Sequence, residues 1–269
     1  MVITNIRNNT KKMDISITKT SWKGFLAGVF IAIGAIASNV VTCGVAAAGI
    51  AKLLSAIVFP IGLILITMFG GELYTGDCLM INAVVNKKIP LAMMIMFLVN
   101  IWVMNMAGAS VALLFNSLSG NFAINGGSVG IQTIKVAFTK CNLTPIQMIF
   151  SGIFCNMLVC AAVLLAGRTD TIVEKIAVIF FPVATFVLCG FEHCVANMYY
   201  LAAGLNALSI DRGMVAGAAA ALGVTEAEIV STITLTAIVK NLTFVTIGNT
   251  IGGMLFAILI YYLNTKDNK

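Results

Sequence analysis

Charged side chains are so rare in this chain that long stretches contain none, and their spacing limits what it can fold into. The charge-free windows are Gly24–Ala51, Leu53–Gly71, Cys78–Asn86, Ile89–Ile134, Cys141–Gly167, Ile176–Phe191, His193–Ile210 and Asn241–Thr265. A helix crossing the hydrocarbon core of a bilayer needs about 20 mostly apolar residues. Four windows reach that length without interruption, the longest supplying a helix and then a polar loop at Asn116–Gly130. Two further spans reach it only by running through a charge: Leu53–Asn86 through Glu72 and Asp77, and Ile176–Ile210 through Glu192. The expectation is an all-α integral membrane protein with six transmembrane helices, the second and fifth broken.

Composition supports this. Only 10% of residues are charged and 60% are hydrophobic, against roughly 25% charged in a soluble domain. Too little charge is available to cover a water-facing surface, which excludes a soluble enzyme or a nucleic-acid binder. The net charge of +6 reads instead as basic loops on the cytoplasmic side of a membrane. With the N-terminus inside, that side holds 11 Lys and Arg against 5 outside, the 5 being Lys52, Lys135, Lys140, Arg212 and Lys240. Both termini are then cytoplasmic, in a bacterial cytoplasmic membrane. The expected divisions are a cytoplasmic segment over 1–23, a channel domain over 24–265 and a tail over 266–269. The first segment lacks the apolar core of a signal peptide.

The two broken spans resemble each other, with Gly70-Gly71-Glu72-Leu73 in the second and Gly190-Phe191-Glu192-His193 in the fifth. The third and sixth share Asn-x-x-Gly, at Asn105 to Gly108 and Asn249 to Gly252. Three spans per half is an odd number, so the second half (about 141–265) must enter the membrane upside down relative to the first (about 24–117). Inverted repeats with discontinuous helices are a transporter and channel architecture. Unwound backbone at membrane depth is tolerated where protein or a water-lined cavity receives its polar groups. The small-residue pairs Gly24/Gly28 and Gly248/Gly252, and the run Gly44–Gly49, are expected to let helix backbones approach closely.

His193 is the one histidine in the chain. Ionisable residues at membrane depth are costly and face a cavity or a partner. A neutral imidazole both donates and accepts, and its reference pKa of about 6.5 permits proton exchange near neutral pH. Glu72 and Glu192 sit at the breaks, where a carboxylate can accept from exposed backbone N–H groups. Thr75, beside the first break, is placed to meet His193 from the opposite half. Lys140, taken to open the fourth span, either snorkels or raises the local anion concentration. Asn105 and Asn249 are expected to bond neighbouring helices, and Thr225-Glu226-Ala227-Glu228 to start a short helix with a capping box. The seven cysteines contain no C-x-x-C, so neither a disulfide framework nor a metal site is expected, and no cofactor motif is present.

The segment Gly190-Phe191-Glu192-His193-Cys194-Val195-Ala196-Asn197-Met198 resembles the F-E-H-x-x-A-N-M segment of the formate/nitrite transporter family. Glu72-Leu73-Tyr74-Thr75-Gly76 looks like its E-L-F-T-G, Cys155-Asn156-Met157-Leu158-Val159-Cys160 like its C-N-x-L-V-C, and Gly248-Asn249-Thr250-Ile251-Gly252-Gly253 like its G-N-x-x-G-G. The matches run in order across roughly residues 20–263. The resemblance implies an aquaporin-like protomer within a homopentamer, each protomer with its own pore, conducting small monovalent weak-acid anions such as formate, nitrite or hydrosulfide across a lipid bilayer. Carried over, His193 is the central pore histidine, Thr75 its partner and Lys140 the vestibule base. Phe59, Leu63, Leu73, Tyr74, Val159 and Phe186 form two constrictions, and Asn197 joins Glu72 and Glu192 in stabilising the breaks. Two departures stand out: Tyr74 replaces the usual Phe, and the third helix keeps only Asn105 and Gly108 of its motif.

The implied mechanism draws an anion to the vestibule and then to an apolar constriction where bare charge is expensive. A proton from His193, or from water it organises, makes a neutral acid that crosses. Formate is favoured by the F-E-H-C-V-A-N-M-Y-Y run. A neutral-solute channel is disfavoured by the absence of paired Asn-Pro-Ala boxes. A membrane redox or metal site on Cys194 and His193 lacks further converging ligands, since zinc takes four.

Overall fold

The computed structural model describes residues 16–265, and every regular element among them is helical. The N-terminal bases up to Lys12 and the tail 266–269 lie outside the described residues. Six helical stretches are long and apolar enough to span a membrane: Ile17–Thr42, Ala48–Phe69, Leu91–Leu118, Pro145–Ala166, Ile172–Cys189 and Leu235–Asn264. The chain is a multi-span membrane protein.

Helix α1 (Ile17–Thr42) starts under a Ser16 cap and runs through Lys19 and Lys23. Its lysines therefore do not delimit it, because an ammonium on a long stem at a helix end still reaches water. α2 (Ala48–Val58) and α3 (Ile61–Phe69) make the first part of the second span, with Pro60 at their joint. Gly70, at φ 71°, ends α3. The chain resumes as α4 (Tyr74–Asp77), a turn over Cys78–Met80, and α5 (Ile81–Val85). α6 (Leu91–Leu118) follows.

The expected polar loop at Asn116–Gly130 proves shorter, because α6 continues to Leu118 and α7 (Ser128–Cys141) begins at its far end. α7 is a 14-residue helix that the charge windows concealed by splitting it at Lys135 and Lys140. Its buried Val129, Thr133, Ile134, Ala137 and Cys141 recur at helical spacing, so one face packs inward; Lys135 lies off that face, whereas Lys140 lies within it and is 15% exposed. Lys140 thus stands in the last turn of α7 and does not open the fourth span. That span, α8 (Pro145–Ala166), starts at a Thr144/Gln147 capping box with Pro145 in its first turn, a strong local start signal.

α9 (Ile172–Cys189) also starts at a capping box, Thr171/Glu174, and ends at Gly190 with φ 71°, as α3 ends at Gly70. α10 (Cys194–Ile210) resumes after the break. α11 (Arg212–Leu222) and α12 (Glu226–Thr232) meet at 100°. α12 begins at the expected Thr225/Glu228 capping box, and α11, rich in Ala and Gly, begins at an Asp211 cap that accepts from Gly213 N–H and ends at Gly223 with φ 69°. α13 (Leu235–Thr265) completes the fold.

Two helix pairs make the closest contacts. A Cβ on Gly28 would collide with the Asn105 carbonyl and one on Gly108 with the Phe25 carbonyl, so α1 and α6 touch backbone to backbone. Gly248 and Gly252 stand in the same relation to Ile149 and Ile153, joining α13 to α8. Gly44 and Gly49 face open space within the protomer. The Gly44–Gly49 run therefore links α1 to α2 without a close approach inside the protomer; Gly44, at φ 77°, serves the turn.

Candidate functional site

Both breaks are held by an asparagine from another helix. At the first, Asn105 of α6 donates through Nδ2 to the carbonyls of Gly24 (2.7 Å) and Glu72 (3.0 Å), while its Oδ1 accepts from Tyr74 N–H (3.0 Å). At the second, Asn249 of α13 donates to Gly152 (2.8 Å) and Glu192 (2.9 Å) and accepts from Cys194 N–H (2.8 Å). Each clasp gives the unwound backbone partners that lipid cannot supply. This is the role expected of the glutamates. Both oxygens of Glu192 are instead engaged by side chains, Oε1 by Lys140 Nζ (2.7 Å) and Oε2 by Asn197 Nδ2 (2.6 Å). The Glu192 N–H donates to Ser151 Oγ (3.0 Å). Glu72 stands 3.8 Å from Lys23, and its N–H donates to the Lys23 carbonyl.

His193 caps α10. Its Nδ1 accepts from Ala196 N–H at 3.1 Å, and its Nε2 lies 3.1 Å from Thr75 Oγ1. With Nδ1 engaged as an acceptor, a neutral ring carries its hydrogen on Nε2 and donates to Thr75. Two segments distant in sequence thus meet at one buried hydrogen bond, with Thr75 fully buried and His193 nearly so. Phe186 stacks on the imidazole at 5.8 Å and 17°, and Phe59 meets Phe186 edge-on at 5.8 Å.

A cavity of about 860 Å³ opens above this point, and His193, Phe59 and Phe186 all reach its wall. Lys52, Lys135 and Lys140 line it as well, so three of the five bases assigned to the outer side converge there. At its floor a ring of bonds closes. Lys140 Nζ pairs with Glu192, Glu192 accepts from Asn197, Asn197 Nδ2 also donates to Asn241 Oδ1 (2.8 Å), and Asn241 Nδ2 donates to the Lys140 carbonyl (3.0 Å). The acceptor-only carboxylate fixes which way the Asn197 amide points. Its Oδ1 is left without a protein partner beside the cavity. Lys140 also lies 5.5 Å from the centroid of the Tyr200 ring, a cation–π arrangement.

Leu63, Leu73, Tyr74 and Val159 are buried with Phe59 and Phe186 in one apolar cluster. The Tyr74 hydroxyl is 2.7 Å from Thr250 Oγ1. Sequence reasoning missed Asn241, Tyr200, Lys52 and Lys135 as site residues. A further fully buried asparagine in the sixth span was the available signal for the first, since uncompensated amides in membrane helices are costly.

A six-span membrane fold with two clasped breaks and a cationic funnel leading to a buried histidine defines the class: a membrane pore protein. The formate/nitrite transporter profile matches residues 1–263. A probable formate transporter of Methanothermobacter thermautotrophicus is 35% identical over 258 residues, covering 88% of this chain and 85% of that protein. The formate channel FocA of Escherichia coli (strain K12) is 32% identical over 257 residues, covering 93% and 88%. The solved structure of a pentameric formate channel with formate bound superposes with a TM-score of 0.81 at 29% identity, covering 92% of this chain and 97% of that one. The chain belongs to the formate/nitrite transporter family.

Proposed function

We propose that this protein is a channel for small monovalent weak-acid anions, with formate the favoured substrate and nitrite and hydrosulfide alternatives of the same class. One observation carries the reading: the cationic cavity ends on His193, whose ring is fixed by Ala196 and Thr75 behind two phenylalanines. Its protomers assemble as a pentamer, like those of the pentameric formate channel it superposes on. The matched asparagine clasps support the reading of two halves of opposite orientation, and the excess of Lys and Arg assigned to the inner side supports both termini inside and the vestibule on the outer face.

An anion entering from the vestibule meets N–H donors on Lys140, then the constriction formed by Phe59 and Phe186. Leu63, Leu73, Tyr74 and Val159 form the second constriction beyond the histidine. Neither offers a partner for bare charge, so the anion must gain a proton near His193. With Nδ1 occupied by a backbone N–H, a neutral His193 has one proton, on Nε2. Giving it away would leave an imidazolate. The proton therefore comes from bulk solvent on the vestibule side, relayed through water so that each water regains the proton it passes on, and His193 and Thr75 orient the acceptor and the last water of that relay. Anions of strong acids, which cannot be neutralised this way, are excluded.

His193→Phe tests this. The substitution keeps a ring of similar width and removes every hydrogen-bonding atom. Formate uptake into proteoliposomes is expected to fall at least tenfold near neutral pH and to recover in part at about pH 4, where neutral acid already exists in bulk water. Parental flux from roughly pH 4 to roughly pH 8 would remove His193 from the mechanism. Loss at every pH would mark a plugged or misfolded pore, which gel filtration of the oligomer distinguishes.

A further inference from the structure

The charge that draws anions into the vestibule need not sit on the lysine that the sequence points to. Four charged side chains line the cavity: Lys52, Lys135, Lys140 and Glu192. Lys140 is the one next to the histidine, but its ammonium is 2.7 Å from Glu192 and only 15% exposed. At that separation the pair presents a dipole, and its field falls off faster than that of a single charge. Glu192 cannot swing away to free it, because Asn197 holds the second carboxylate oxygen at 2.6 Å and Asn241 ties Asn197 to the Lys140 backbone. The floor of the cavity is therefore close to electrically neutral, and its surplus positive charge is carried by the other two lysines.

Lys52 projects from α2 on one wall, exposed, with Gly190 of the second break nearby. Lys135 projects from α7 on another, half-buried. Among the described residues neither has a carboxylate within ion-pairing distance. Both keep a full charge facing a cavity with apolar walls, the arrangement in which a low-dielectric surround focuses the field on the opening.

We infer that Lys52 and Lys135 are the anion-capturing residues of this channel, concentrating small monoanions in the vestibule, while Lys140 is a positioning residue that orders the floor through Glu192 and Asn197. The inference rests on the channel reading above and adds to it the source of the attraction. Capture by two free charges has a signature that a structural role lacks: it depends on ionic strength and on the charge of the permeant.

The test compares the parent with the Lys52→Gln/Lys135→Gln double variant, reconstituted in proteoliposomes and measured at low formate concentration. At about 0.01 M ionic strength, where the screening length is about 30 Å, the double variant is expected to take up formate roughly three- to tenfold more slowly. At about 1 M, where screening acts within about 3 Å, the two should converge. Maximal flux at saturating formate should be unchanged, and so should uptake at about pH 4, where much of the permeant is neutral. Lys52→Arg/Lys135→Arg should restore the parental salt dependence, and Lys19→Gln, at the start of α1, should leave it untouched. A double variant that keeps the parental salt dependence would overturn the assignment. A parent that moves no monoanion at all would instead overturn the channel reading, so the two failures are distinguishable.

Discussion

Tyr74 shows how one atom changes the demands of a buried site. Thr250 Oγ1 donates to the Thr246 carbonyl at 2.7 Å, so in its 2.7 Å contact with Tyr74 it accepts and the phenol donates. Thr246 Oγ1 in turn accepts from Trp102 Nε1 at 3.1 Å. The hydroxyl is thereby drawn toward α13, and the ring that remains is equivalent to the phenylalanine usual in the family. Tyr74→Phe is expected to conduct, with a modest shift in the ratio of formate to nitrite or hydrosulfide flux and a stability loss of about 1 kcal/mol. Thr250→Val should do more harm, about 1–3 kcal/mol, because it strands a buried hydroxyl. The Tyr74→Phe/Thr250→Val double variant should recover most of that loss, a coupling that thermal melting in detergent reads directly. A dead Tyr74→Phe channel, or additive losses, would place the hydroxyl in the pathway and not in the wall.

At the scale of elements, the breaks depend on residues outside them. Asn249→Leu removes two donated bonds and one accepted bond at once. Each polar group left unsatisfied in a buried site costs about 1–3 kcal/mol. The variant should lower the melting transition far more than Gly44→Ala, whose added methyl meets open space, although the positive φ there adds its own smaller strain. Equal melting shifts would mean the clasp is incidental. The helix ends at Gly70 and Gly190 had a signal in the sequence, because each combines glycine with a nearby glutamate inside an apolar stretch. So did the meeting of Thr75 with His193, through the family motifs. α7 was not legible, because its two lysines looked like boundaries when both stand inside one continuous helix. The pairing of Lys140 with Glu192 was hidden for a related reason: a linear reading counts charges, and neutralisation depends on which helix brings them together.

For the whole molecule, the clasps determine what kind of transport is open to the fold. Each asparagine ties a break to two helices, and those helices are pressed together at glycines where no side chain intervenes. A carrier that alternates between inward- and outward-facing forms would have to undo both clasps in every cycle and let the α1–α6 and α8–α13 contacts slide. Nothing in a small anion's binding energy matches that cost. The scaffold is therefore expected to stay still, with only side chains and water moving during passage. Labelled formate should enter vesicles at the same rate whether or not unlabelled formate waits on the far side. Acceleration by the waiting pool would reveal an exchange cycle, and with it a clasp that opens.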